Sequence, residues 1–145
     1  MQKIWIVVAD SAGARIFGAD KPTAALSEIE DMLNPSGRLR NQDIDSDDQG
    51  RSFDSAGEGR HAMSRRHDPQ QQEAIRFAQR LASHLKSALD ERRFERLHLV
   101  AAPAFLGKLR EALDHTVKAT VASELDSDLL RHSPDEVRKH LPERL

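Results

Sequence analysis

Residues 3–10 (KIWIVVAD) form a nearly continuous apolar run rich in β-branched side chains. That is the pattern of a strand covered on both faces, and it predicts a central strand. Ser11, Ala12 and Gly13 supply a short turn, and residues 14–18 (ARIFG) alternate well enough to pair back as the second arm of a hairpin. Asp20, Lys21 and Pro22 then break the run. In residues 25–33 (ALSEIEDML) strict alternation puts Leu26, Glu28, Glu30 and Met32 on one face and Ser27, Ile29, Asp31 and Leu33 on the other. This mixed pattern predicts a third strand near an edge, with a short helix as the competing reading.

Apolar periodicity resumes only after residue 68. Asp68 stands at an N-cap position, with Pro69 at the first helical position and Gln71 three residues on. Ala74, Phe77, Ala78, Leu81, Leu85 and Ala88 then recur at spacings of three and four, predicting a helix down to about Glu91 with one stripe against a sheet. Residues 97–102 (LHLVAA) read as a buried strand, and Pro103 opens a helix that continues through about Leu113. Residues 121–126 read as the last strand, and Ser133, Pro134, Asp135 and Glu136 begin a short terminal helix that ends before Pro142. The order β-β-β-α-β-α-β-α predicts a single α/β domain over residues 1–145, with a mixed five-stranded sheet and helices on both faces. It matches the ribonuclease H-like topology, with a long loop between the third strand and the first helix.

That loop, residues 34–68, contains four glycines, six arginines and seven acids, and its sizeable apolar groups are Leu39, Ile44, Phe53 and Met63. Such a composition buries too little to offset its own ordering entropy, so the segment is expected to be a functional loop or a disordered one. It accounts for much of the polar character of the 145-residue chain, whose mean hydropathy is −0.64. Positive and negative side chains nearly balance, at 22 and 24, so any anion site must be local. The absence of cysteine excludes disulfides, thiolate metal sites and a cysteine nucleophile. The longest apolar run is too short for a signal-peptide core or a membrane span, and a cytoplasmic location is expected.

Two local features suit an anion. Within residues 51–66 (RSFDSAGEGRHAMSRR), Gly57 and Gly59 free the backbone to present N–H groups, while Arg51, Arg60, Arg65 and Arg66 supply forked donors. No Lys-Ser/Thr pair follows the glycines and no strand precedes them, so this is neither a P-loop nor a dinucleotide fingerprint, and no cofactor is implied. The plainer reading is a loop neutralised by its own acids. Within residues 100–110 (VAAPAFLGKLR), a helix begins at the carboxyl end of a buried strand, with Lys108 and Arg110 nearby. Phe105, Leu106 and Leu109 there fit the core, and a structural role for the junction is the first reading.

Catalytic readings are thinner. A two-metal nuclease of this topology needs several converging carboxylates. Asp10 and Glu73 are suitably placed, but the strand ending VAAP contributes none, and Asp126 and Asp128 are only loosely located. The plainer reading has Asp10 capping a turn and Glu73 on a solvated face. Ser52, Asp54, Ser55, His61 and His67 contain the ingredients of a hydrolase, yet a polar, glycine-rich loop offers no rigid scaffold for it. The spacing of His61, His67 and Asp68 fits no closed four-ligand metal site, so solvated histidines are the plainer reading.

The opening WIVVADSAGARIF, the loop GRSFDSAGEGRHAM, the helix entry HDPQQQEAIRFAQRLA, and VAAPAFLGKLR followed by SELDSDL resemble the bacterial host attachment family, proteins required for attachment to host cells. That resemblance spans nearly the whole chain and implies a phenotype, not a reaction. More distantly, the strand-loop-helix arrangement resembles the middle domain of archaeal and eukaryotic peptide-chain release factors. There a Gly-Gly-Gln tip precedes a helix similar to residues 72–80 (QEAIRFAQR). Here the tip is Gln70-Gln71-Gln72, which keeps Gln72 but lacks the glycines. The resemblance implies contact with RNA or the ribosome rather than hydrolysis. The expectation is a non-enzymatic module that binds RNA or the ribosome through its arginines. The alternatives are a protein-interaction or surface-associated factor acting through residues 34–68, and a metal-dependent nuclease or other hydrolase.

Overall fold

The computed structural model describes residues 3–35 and 69–145. Strand β1 (Ile4–Asp10) pairs antiparallel with β2 (Gly13–Ala19), which pairs antiparallel with β3 (Ser27–Leu33). On its other side β1 pairs in parallel with β4 (Arg96–Ala101), which pairs in parallel with β5 (Val121–Leu125). The mixed five-stranded sheet has the order β3-β2-β1-β4-β5, so the apolar first run is its central strand, as expected.

Both faces of β1 are buried because alternate residues feed different cores. Trp5, Val7 and Ala9 face helices α1 (Pro69–Asp90), α2 (Pro103–Ala112) and α3 (His115–Lys118), and pack with Phe77, Leu81, Leu85, Phe105, Leu109 and Val117. Ile4, Ile6 and Val8 face the opposite way, toward Leu129, Val137 of α4 (Pro134–Lys139), Leu141 and Leu145. Each α1 position expected in the stripe, from Ala74 to Ala88, is buried. The terminal helix begins at Ser133 as expected, in a capping box: Ser133 Oγ accepts from Glu136 N at 3.2 Å, and Ser133 N donates to Glu136 Oε1 at 3.1 Å. Asp68, the expected cap of α1, lies outside the described residues.

Two local features depart from the sequence expectation, and the end of α1, close to the expected Glu91, adds a third. Strand β3 does lie at an edge, but it carries an extra residue: Ile16 pairs with Glu30 while Phe17 pairs with Glu28, leaving Ile29 as a bulge. The bulge reverses the face of everything before it. Glu28 therefore meets Arg15 on the α4 side, whereas Glu30 meets His84 and Arg93 on the α1 side, and the single face expected for Leu26, Glu28, Glu30 and Met32 is split. Ile29 and Met32 consequently reach the same core. Helix α3 was not expected; Asp114 starts it by accepting from Thr116 N at 2.9 Å. Helix α1 ends in a Schellman motif in which Arg92 N donates to Leu89 O and Arg93 N to Ala88 O, both at 2.9 Å, with Arg92 at φ 60° where glycine is usual.

Candidate functional site

Parallel pairing brings the carboxyl ends of β1 and β4 to one edge of the sheet, where Asp10 and Ser11 leave β1 and Ala102 leads into α2. The first turns of α1 and α2 converge over this edge and enclose a cleft of about 310 Å³. Gln70, Gln71 and Glu73 line it from α1, Phe105 and Lys108 from α2, and Asp128 from the connection after β5. Crevices at the carboxyl ends of parallel strands are the usual ligand sites of open α/β sheets. A groove of about 520 Å³ continues from the cleft along the outside of α1 and α2, sharing Gln71, Ala104 and Lys108 and adding Ile75, Gln79 and Gly107.

Asp10 has a structural task here. Its Oδ1 accepts from Ala12 N at 2.7 Å and Gly13 N at 3.2 Å, closing the β1–β2 turn. Burial pushes its carboxyl above the ordinary carboxylate value, and the charge of Asp128 adds to the rise. The two N–H groups and Arg131 pull the other way. Glu73 accepts from Arg76 at 3.2 Å, one turn along α1. Among the described residues no three or more His, Asp or Glu side chains are grouped so as to hold a metal ion, so Asp10, Glu73 and Asp128 share a cleft without forming a cation cage.

Lys108 is the cation of this site, and its ammonium forms no ion pair among the described residues. The N-terminus of α2 beside it has no side-chain cap, because Ala102 occupies the N-cap position and Pro103 the next. Arg110, the other cation expected at this junction, serves elsewhere: its Nε donates to Glu124 Oε1 on β5 at 2.7 Å, away from the cleft. Gln72 is half-buried on α1 and does not line the cleft. Asp126 is exposed and also absent from its lining. Arg51, Gly57, Gly59, Arg60, Arg65 and Arg66 lie outside the described residues, as do Ser52, Asp54, Ser55, His61 and His67.

Both ends of that segment are placed, and they lie at the same edge of the sheet. Asn34, buried just after β3, donates from its main-chain N to Ala12 O at 2.9 Å and from Nδ2 to Ser11 O at 2.8 Å. Arg80 of α1 donates to Leu33 O at 2.7 Å. The chain therefore leaves the described fold beside the β1–β2 turn and re-enters it at Pro69, one residue before the Gln70 that lines the cleft. Sequence reasoning missed Asn34 and Gln70 as positioned groups. The one available signal was an isolated Asn-Pro directly after a strand, which reads as a turn with or without such a clip.

No curated protein matches the chain. A family model described as "Protein required for attachment to host cells" matches residues 5–141, from β1 to the turn after α4, and so includes every side chain of the cleft. The chain belongs to that family of proteins required for attachment to host cells.

Proposed function

We propose that this protein is a cytoplasmic, non-enzymatic binding module that contacts structured RNA or the ribosome, and that its part in attachment to host cells is indirect. The observation that carries this reading is the position of Lys108. Lys108, which forms no ion pair among the described residues, stands in the cleft beside the point where the arginine- and glycine-rich segment, with Arg51, Arg60, Arg65 and Arg66, rejoins the fold. Phosphates would be met by Lys108 and the segment's arginines. Asp10, Glu73 and Asp128 suit the remainder of such a ligand, since carboxylates accept from 2′-hydroxyls and from base amino groups. That mixture favours RNA over a simple anion. The sheet order and its antiparallel opening support a ribonuclease H-like classification, and the similarity of residues 72–80 to the release-factor helix is consistent with a ribosomal partner.

The test is fluorescence anisotropy with labelled tRNA and a ribosomal RNA hairpin at about 50 and 200 mM salt, a range over which release of a few counterions changes affinity visibly. Wild type is compared with a variant carrying Arg51, Arg60, Arg65 and Arg66 changed to Ala. Saturable binding that weakens with salt and collapses in the variant is expected. No binding at 50 mM, or equal binding by the variant, would overturn the reading in favour of a protein partner contacted through Phe53 and Met63.

A further inference from the structure

Strand alternation along β4 sends Leu97, Leu99 and Ala101 into the core beneath α1 and α2, and turns His98 and Val100 to the opposite face, covered by α4 and residues 141–145. His98 is only 2% exposed. Its Nδ1 is hydrogen-bonded to Ser123 Oγ on β5 at 2.6 Å, and its Nε2 has no hydrogen-bond partner among the described residues. The imidazole therefore sits in an apolar layer with half of its polar capacity unused.

The covering layer is fastened by two guanidinium groups. Arg138 of α4 donates to Pro22 O at 3.2 Å, Ala24 O at 3.1 Å, Pro142 O at 2.6 Å and Glu143 O at 2.7 Å. Arg96 of β4 donates to Leu145 O at 2.6 Å, and Leu145 N returns a bond to Pro22 O at 2.9 Å. The charged groups acting on His98 are these same two, Arg96 and Arg138, both cations. Its neighbours in register on the sheet are Ile6 of β1 and Ser123 of β5, neither of them titratable near neutral pH. On the covering layer Leu141 and Leu145 are apolar, while Lys139, His140, Glu143 and Arg144 are exposed. Burial and the two guanidiniums push His98 below the ordinary histidine value.

We propose that His98 is an acid-sensitive latch whose protonation releases α4 and residues 141–145 from the sheet. The cation carries a proton on both ring nitrogens, so Nε2–H would be a buried charged donor without an acceptor, set between two fixed positive groups. Lifting the covering layer hydrates it and separates it from Arg138. The sign follows from linkage: a group with a depressed value in the closed state binds its proton better when open, so closure weakens as the pH falls below about 6.5. One proton taken up per opening means that the opening constant rises roughly tenfold for each pH unit between the ordinary and the depressed value.

Hydrogen exchange of peptides covering residues 129–145, corrected for intrinsic rates, at pH 7.5 and 5.5 tests this. Wild type is expected to lose protection there at pH 5.5, by at most about tenfold, with peptides from 77–88 of α1 unchanged. His98→Asn, which can still bond Ser123, should show no pH response. His132 and His140, whose rings meet edge-on at 6.0 Å, are other histidines on this side, so a His132→Gln/His140→Gln variant should respond as wild type does. Unchanged protection in wild type, or a response kept in His98→Asn and lost in the double variant, overturns the proposal. If His98→Asn does not fold, an NMR titration of wild type decides: the Val137 and Leu141 amides must shift together with the His98 ring, and their constancy through its titration contradicts the latch.

Discussion

Gly13 shows how closely a single position can be specified. A Cβ built there would lie 2.9 Å from Met32 O, a main-chain atom of the neighbouring strand that cannot rotate away. Gly13→Ala is therefore expected to force β2 and β3 apart at the cleft edge and to destabilise the fold by about 1–3 kcal/mol, measured by urea unfolding. Asp10, three residues earlier, combines a structural role with an electrostatic cost. Its carboxyl titrates above the ordinary value of 3.8, so the folded state binds that proton more tightly than the unfolded one, and stability falls as the pH rises through the window between them. Asp10→Asn keeps an oxygen for Ala12 N and Gly13 N and removes the charge. At pH 7 it should be at least as stable as wild type, an advantage that disappears as the pH approaches 3.8, whereas Asp10→Ala should lose about 1–2 kcal/mol. Thermal melts across that range check both, and an Asn variant as unstable as the Ala variant at pH 7 would contradict the account.

At the scale of elements, the Schellman end of α1 holds a non-glycine residue in left-handed backbone. The main-chain oxygen of Arg92 accepts from Lys3 Nζ at 2.8 Å, a bond that any residue could supply. Arg92→Gly is expected to relieve the strain and raise stability by about 0.5–1 kcal/mol in a denaturant titration, and a loss of stability would show that the side chain matters there. The elements legible in the sequence were those whose cause is local. The Ile4–Asp10 run, the Ala74–Ala88 stripe and the Ser133–Glu136 box each contain their own signal. The bulge at Ile29 has its cause in the partner strand: only the register against Ile16 and Phe17 shows that Glu28 and Glu30 point apart. Helix α3 is a four-residue turn fixed by Asp114 and the burial of Val117, too short to leave a periodicity.

At the scale of the whole molecule, the cleft was legible as separate residues and not as a place. Asp10, Glu73 and Lys108 were each singled out from local chemistry, but their convergence depends on the parallel β1–β4 pairing and on the packing of α1 against α2. Lys108 and Arg110 looked equivalent in sequence, two residues apart on one helix. The fold separates them by about 200° around the helix axis. One side chain enters the cleft and the other is held by Glu124. If the protein binds RNA through that cleft, the two positions must differ. The most direct measurement is therefore the affinity of Lys108→Gln and Arg110→Gln for the same labelled RNA at about 50 mM salt. Loss of one phosphate contact should weaken the Lys108 variant by roughly five- to tenfold and flatten its salt dependence, leaving the Arg110 variant within about twofold of wild type. Equal affinities for both variants and wild type, or a larger loss at Arg110, would contradict the assignment of the cleft as the binding site.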